Sequence, residues 1–250
     1  RGGVDIDGFD LRADVVVPTR RPLGTLPAPS FDPLVLDARI TEEQIGVAGF
    51  VGADIKINPC LRLLPGVRLD WFNYNGYKHI TVDPRISVRW RALKWLTLKA
   101  GTGLYHQPPG LVAIDPTFGN PEIPPEASIQ SSAGAEFELE DAGWEFSVTG
   151  FYNHMLDMPR FTRSVIEADD ALQRLNFEAN GSGRAYGVEL LVRKRLGDWM
   201  HGWLTYTLSR SERRRGDRAW VPFDFDQTHI LNLAWTFQLP DNWSIGARYR

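Results

Sequence analysis

Asp224, Asp226 and His229 come nearest to a reactive centre, because two carboxylates beside an imidazole can bind a metal ion or pass a proton. On an extended strand, however, side chains alternate, so Asp224 and Asp226 share one face while His229 takes the other. A single-face metal site would need a bulge between them. A hydrolase would also need a nucleophile; Ser209 or Ser211 could supply one from a neighbouring strand, but neither lies in a nucleophile motif. The expected role of the group is to order a loop, and no catalytic residue, metal site or cofactor is assigned. His154 and His201 stand alone and are expected at an interface rather than as ligands. Cys60, the single cysteine, cannot form an internal disulfide and is expected to pack rather than react.

The other notable polar residues carry charge in a pattern. Arg62 and Arg68, Arg85 and Arg89, and Glu136 and Glu138 stand an even number of residues apart within their segments, with Lys99, Glu145 and Glu189 on others. Each belongs to the polar side of a segment in which apolar and polar positions alternate. Tyr186, Val188, Leu190 and Val192 oppose Glu189, Arg193 and Arg195, and Leu231, Leu233, Trp235 and Phe237 oppose Asn232, Thr236 and Gln238. Trp144, Phe146 and Val148 oppose Glu145, Ser147 and Thr149, while Leu61, Leu63, Val67, Leu69 and Trp71 oppose Arg62, Arg68 and Asp70. Period two over about ten residues describes a strand with one apolar and one polar face.

Extended along the chain, this template predicts eleven strands near 1–17, 43–57, 60–73, 79–91, 95–105, 127–139, 143–156, 183–196, 199–210, 224–239 and 242–250. Short connections fall at Asn58-Pro59, Ala92-Leu93-Lys94, Glu140-Asp141-Ala142, Gly197-Asp198 and Pro240-Asp241. Between them lie mostly longer ones near 18–42, 74–78, 106–126, 157–182 and 211–223, rich in Pro, Gly, Asp and Asn. Short turns at one end and long loops at the other describe a transmembrane antiparallel β-barrel. Trp95, Trp144, Trp199 and Trp243 each follow a short turn, where an interfacial aromatic girdle would lie. Closure is required, because strand edges left unpaired in hydrocarbon cannot satisfy their backbone groups. Eleven is odd and the last segment stops in mid-pattern, so the chain is expected to be a fragment of a larger barrel.

The totals agree with this and exclude other classes. No apolar run approaches the length of a membrane helix, and the mean hydropathy is -0.27. A net charge of -3 and a pI near 6.0 leave no footprint for nucleic acid. The run Glu212, Arg213, Arg214, Arg215 lies among Ser, Gly and Asp and is expected to be a solvated loop.

Gly119-Asn120-Pro121-Glu122-Ile123-Pro124-Pro125-Glu126 resembles the Asn-Pro-x-Leu-x-Pro-Glu segment of TonB-dependent outer-membrane receptors, with Ile123 where Leu is commoner. Gly150-Phe151-Tyr152-Asn153, then Asn180-Gly181 and Tyr186-Gly187-Val188-Glu189, resemble that family's next hairpin. Trp203, Tyr206 and Asp224-Phe225-Asp226-Gln227-Thr228-His229 resemble what it carries on the two strands that follow. The resemblance covers roughly 106–250. It implies a barrel of 22 strands with a plug domain, of which residues 1–250 would be a partial wall without plug. It further implies location in the bacterial cell outer membrane, contact with outer-membrane lipid, and gated uptake of a small solute or chelate. A TonB-type periplasmic protein would supply energy through the plug.

The ligand would first meet the long loops near 18–42, 106–126 and 157–182, where His106, Gln107, Asp115, Asn120 and Glu122 are candidate contacts. The inward stripes Arg62, Arg68, Arg85, Arg89, Lys99, Glu136, Glu138, Glu145 and Glu189 either grip a plug and line a solute path, or pair with one another in a wet lumen. The second reading is preferred. An outer-membrane barrel enzyme such as a lipid hydrolase, and a passive porin or structural barrel, are the alternatives.

Overall fold

The structure is a computed structural model that describes residues 2–18, 35–74, 76–114, 119, 120, 122–161, 177–195 and 199–250. It is a single antiparallel sheet. The strands are β1 (Gly2–Pro18), β2 (Val35–Gly52), β3 (Ile55–Asn58), β4 (Leu61–Tyr74), β5 (Tyr77–Leu93), β6 (Leu96–Gln107) and β7 (Glu126–Leu139). They continue as β8 (Trp144–Phe161), β9 (Phe177–Lys194), β10 (Met200–Arg215), β11 (Val221–Pro222), β12 (His229–Gln238) and β13 (Ser244–Tyr249). One four-residue helix, α1 (Leu111–Ile114), interrupts the β6–β7 connection.

The pairing order β1-β2-β4-β5-β6-β7-β8-β9-β10-β12-β13 is an eleven-strand meander, with β3 added to β4 and β11 to β10. The sheet is open, so β1 and β13 each pair on one side only.

Register places whole rows of side chains on one face. Leu61, Trp90, Leu98, Ala135, Val148, Leu190, Tyr206 and Leu231 stand opposite one another strand by strand. The next row, Arg62, Arg89, Lys99, Gly134, Thr149, Glu189, Thr207 and Ile230, faces the other way. The first row starts at the first residue of β4 and meets β12 at Leu231, seven residues from its short-turn end at Gln238, so it climbs along the wall as tilted barrel strands require. Its face leaves Leu69, Ile80, Val82, Ile86, Val188, Leu190, Leu208 and Leu231 exposed. A soluble sheet would bury such residues.

Several strands outrun the alternation from which they were read. β2 begins at Val35 rather than near 43, β8 runs to Phe161, β9 starts at Phe177 and β10 ends at Arg215. Above the apolar band both faces meet water, so the two-faced pattern fades while the backbone ladder continues. The segment 43–57 divides near Asp54 into β2 and β3. The segment 224–239 is strand only from His229, because Asp226 N donates to Phe223 O at 2.9 Å and closes a turn. The connection at 74–78 is a tight hairpin rather than a long loop: Tyr74 pairs with Tyr77, and Gly76 turns at φ 89°, which favours glycine. Cys60 is exposed at the Asn58-Pro59 turn rather than packed, its N–H donating to Asn58 Oδ1 at 2.8 Å. The turn at Gly197-Asp198 lies outside the described residues.

The aromatic rings expected beside the short turns are there. Trp95 stacks on Phe137 at 6.0 Å and Trp199 packs on Phe237 at 6.3 Å. Trp144 meets Trp235 at 6.2 Å across Gly202, which offers no side chain between them.

Candidate functional site

The interior wall is built from the polar rows. Within the row that contains Arg62, Arg89 and Lys99, three cations stand directly opposite one another on β4, β5 and β6. Carboxylates close that row at both ends. Asp54, beside β3, accepts from Arg62, and Glu136 of β7 accepts from Arg89 Nη2 and Lys99 Nζ, each at 2.6 Å. Nearer the short turns, Glu145 lies opposite Arg193 and accepts from it at 3.3 Å, and Glu138 lies 3.5 Å from Arg195. Arg68 forks onto Asp70 at 2.9 Å and reaches Asp5 of β1 at 2.6 Å. The partners Asp5 and Asp54 were not singled out from the sequence; Asp70 was placed on the polar face beside Arg68, though not as its partner.

Arg85 and Glu189 differ from these. Each is exposed on the polar face and makes no ion pair with a described residue. Arg85 stands between Gly66 and Gly103, and a Cβ at either glycine would press on its side chain. Both charges line a cleft of about 1020 Å³, together with Tyr105, Gln130, Ser132 and Asn153. Hydroxyls, amides and charges of both signs, the Arg62–Asp54 pair among them, give the cleft many donors and acceptors for a polar solute.

The candidate loop residues do not converge, and none of those described lines this cleft. Above the last β5–β6 pair, Arg85 and Gly103, His106 turns towards β5. Its N–H donates to Asp83 Oδ2 at 3.1 Å and its Nδ1 lies 2.5 Å from Oδ1. Gln107 reaches Glu126 at 3.5 Å, the outer limit of a hydrogen bond. Asn120 accepts from Glu122 N at 3.1 Å and donates to Phe177 O at 2.9 Å, so it ties the loop to β9; Glu122 is exposed. Asp115 lies outside the described residues.

The same β6–β7 connection folds onto the polar face instead of standing away from it. Ile114 is fully buried in a cluster with Phe72 and Tyr74 of β4, and Ile123 is 2% exposed. This inward packing was missed because Ile114 and Ile123 lie in a Pro-rich stretch without periodicity. Asp224, Asp226 and His229 form no metal site: Asp226 Oδ1 accepts from Ser211 N at 2.7 Å, and His229 Nδ1 lies 2.8 Å from Tyr206 Oη. Among the described residues no cluster of His, Cys, Asp and Glu could hold a metal ion.

Residues 5–250 match the family described as "TonB dependent receptor-like, beta-barrel". No curated protein is similar in sequence at a significant level. Among solved structures, the ferric-catecholate import receptor Fiu of E. coli superposes with a TM-score of 0.70 at 16% identity, over 99% of this chain and 40% of that one. The siderophore receptor PirA of Pseudomonas aeruginosa gives 0.63 at 17% identity, over 98% and 46%. The pyoverdine outer membrane receptor FpvA of Pseudomonas aeruginosa, solved with pyoverdine bound, gives 0.68 at 13% identity, over 87% and 32%. The chain thus spans less than half the length of each. With its apolar exterior, charged interior and eleven-strand meander, the chain belongs to the TonB dependent receptor-like β-barrel family, whose members are transport receptors of the bacterial outer membrane and not enzymes.

Proposed function

We propose that this chain is part of the barrel wall of a gated receptor that imports a small iron chelate of siderophore type, with energy delivered by a TonB-type periplasmic protein. The observation that carries the reading is the interior wall, a charged and hydroxyl-rich surface on a strand meander that matches this family from residue 5 to residue 250. In this reading further strands close the barrel, since the free edges of β1 and β13 would leave backbone groups unpaired in hydrocarbon at several kcal/mol each. A plug domain would occupy the lumen, with Arg85 and Glu189 available to it or to the passing solute. The similar structures named for siderophores and for ferric catecholate support the choice of ligand class.

The test is uptake of radiolabelled ferric siderophores by iron-starved cells with and without the gene. Loss of uptake of at least one chelate on deletion, and its arrest by a protonophore, is the expected result. Uptake that continues under the protonophore would identify a passive pore, and unchanged uptake of every chelate in the deletion would refute the ligand class.

A further inference from the structure

The outward face changes character at one height. On β9 the outward residues Val192, Leu190, Val188 and Tyr186 are followed by Arg184, and on β10 Leu204, Tyr206 and Leu208 are followed by Arg210, Glu212 and Arg214. The row of Trp144 and Lys194 marks the opposite, short-turn edge, with Lys194 Nζ 5.6 Å from the Trp144 ring centroid. From Lys194 to Arg184 is ten residues, about 33 Å along the strand and about 25 Å along the membrane normal at a tilt near 40°. That equals the height of a barrel's outward apolar band, about 25 Å. The arginines therefore emerge where hydrocarbon gives way to headgroups on the long-loop side. Just below them Tyr152 and Tyr186 stack at 6.3 Å, and Tyr206 meets His229, as an aromatic belt at such a boundary should.

These cations are held in place with donors to spare. Arg184 Nε donates to Glu212 Oε2 at 2.6 Å, and its guanidinium lies 4.4 Å from the Trp220 ring centroid. Arg214 lies 4.8 Å from the same ring centroid; its Nε is shielded, so the donors it can offer outward are those of its two Nη atoms. Arg210 stands 3.7 Å from both Glu212 and Asp226. The two carboxylates account for loop order, but they leave one positive charge in excess, and no described carboxylate pairs with Arg214. A guanidinium carries five N–H donors, and stacking on one indole fixes two of them side by side, an arrangement suited to phosphate oxygens.

We propose that Arg184, Arg210 and Arg214, with Trp220, bind a phosphate monoester of an anionic lipid headgroup in the outer leaflet, in preference to a zwitterionic phosphodiester. The acyl chains then run down the exposed apolar column of Val188, Leu190 and Leu208. The site lies on the far side of the wall from the solute cleft, so its success or failure leaves the transport reading untouched.

The test uses the intact receptor in phosphatidylcholine nanodiscs doped in parallel with bisphosphorylated lipid A and with the same lipid stripped of its phosphates. Bound lipid is quantified by native mass spectrometry. Wild-type protein should retain the phosphorylated form selectively, and R184Q combined with R214Q should weaken retention about 30-fold, about fivefold for each arginine near an anionic headgroup. Inorganic phosphate should not displace the lipid. Equal retention of the stripped lipid, displacement by inorganic phosphate, or unchanged retention in the double variant would each overturn the proposal. If the double variant does not fold, W220A and the two lipid arms on wild-type protein decide the same question.

Discussion

An arginine placed at Leu190 and one placed at Glu189 put the same charge on opposite sides of one strand. Leu190 pairs with Val148 and Tyr206, is 41% exposed, and lies four residues from Lys194 at the Trp144 edge. Four residues rise about 10 Å at barrel tilt, which sets Leu190 near the middle of a band about 25 Å high. A lipid-facing Arg there costs about 2–4 kcal/mol, a factor of about 30 to 900 in the folding equilibrium. Glu189 stands between Thr149 and Thr207 and lines the wet cleft, so charge reversal should cost less than about 1 kcal/mol. The measurement is urea unfolding of the intact protein in bilayers, read by tryptophan fluorescence and heat-modifiable mobility. Leu190→Arg should lose stability by at least about fivefold more than Glu189→Arg, and Leu233→Arg more than Asn232→Arg. Equal losses within each pair would refute the assignment of faces.

Glu136→Gln leaves Arg62, Arg89 and Lys99 adjacent with one carboxylate fewer, so stability at low salt should fall by about 1 kcal/mol and recover at high salt or in the double variant with Lys99→Gln; a loss independent of salt would argue against charge as the cause. A Cβ at Gly187 would press on Leu208 O and the Ser209 backbone, whereas one at Gly49 meets nothing within 4 Å. Gly187→Ala should therefore lower stability by about 1–3 kcal/mol, Gly49→Ala should leave it nearly unchanged, and denaturation midpoints that coincide would refute this. The exposed Cys60 lies at the short-turn end, so a bulky maleimide should label it only after the outer membrane is permeabilised; labelling of intact cells would invert the orientation. Ile114→Ala should open the inward-folded connection to protease while heat-modifiable mobility is kept, and unchanged cleavage within 108–125 would show that Ile114 does not hold it.

The division between what the residues dictate alone and what the sheet decides follows from the range of the forces involved. Alternation is local: Leu190 beside Glu189, or Leu63 beside Arg62, fixes which way a side chain points once the segment is extended, and contact with lipid demands that every spanning strand obey it. The meander, its polar face and the girdle tryptophans at 95, 144, 199 and 243 were therefore legible in the sequence. Register is not local. That Glu136 serves both Arg89 and Lys99, that Arg68 reaches back to Asp5, and that Arg85 and Glu189 keep no described partner depend on which residues stand opposite across separations as long as the 63 between Arg68 and Asp5. The strand ends above the apolar band, at Phe161, Phe177 and Arg215, escaped because water on both faces removes the alternation while the ladder persists. The β6–β7 connection, expected to reach outward, turns in because Ile114 gains more by burial against Phe72 and Tyr74 than by exposure, and Ile123 is buried with it. No period in its sequence announces that choice, since the surface that buries Ile114 is supplied by β4 of the wall.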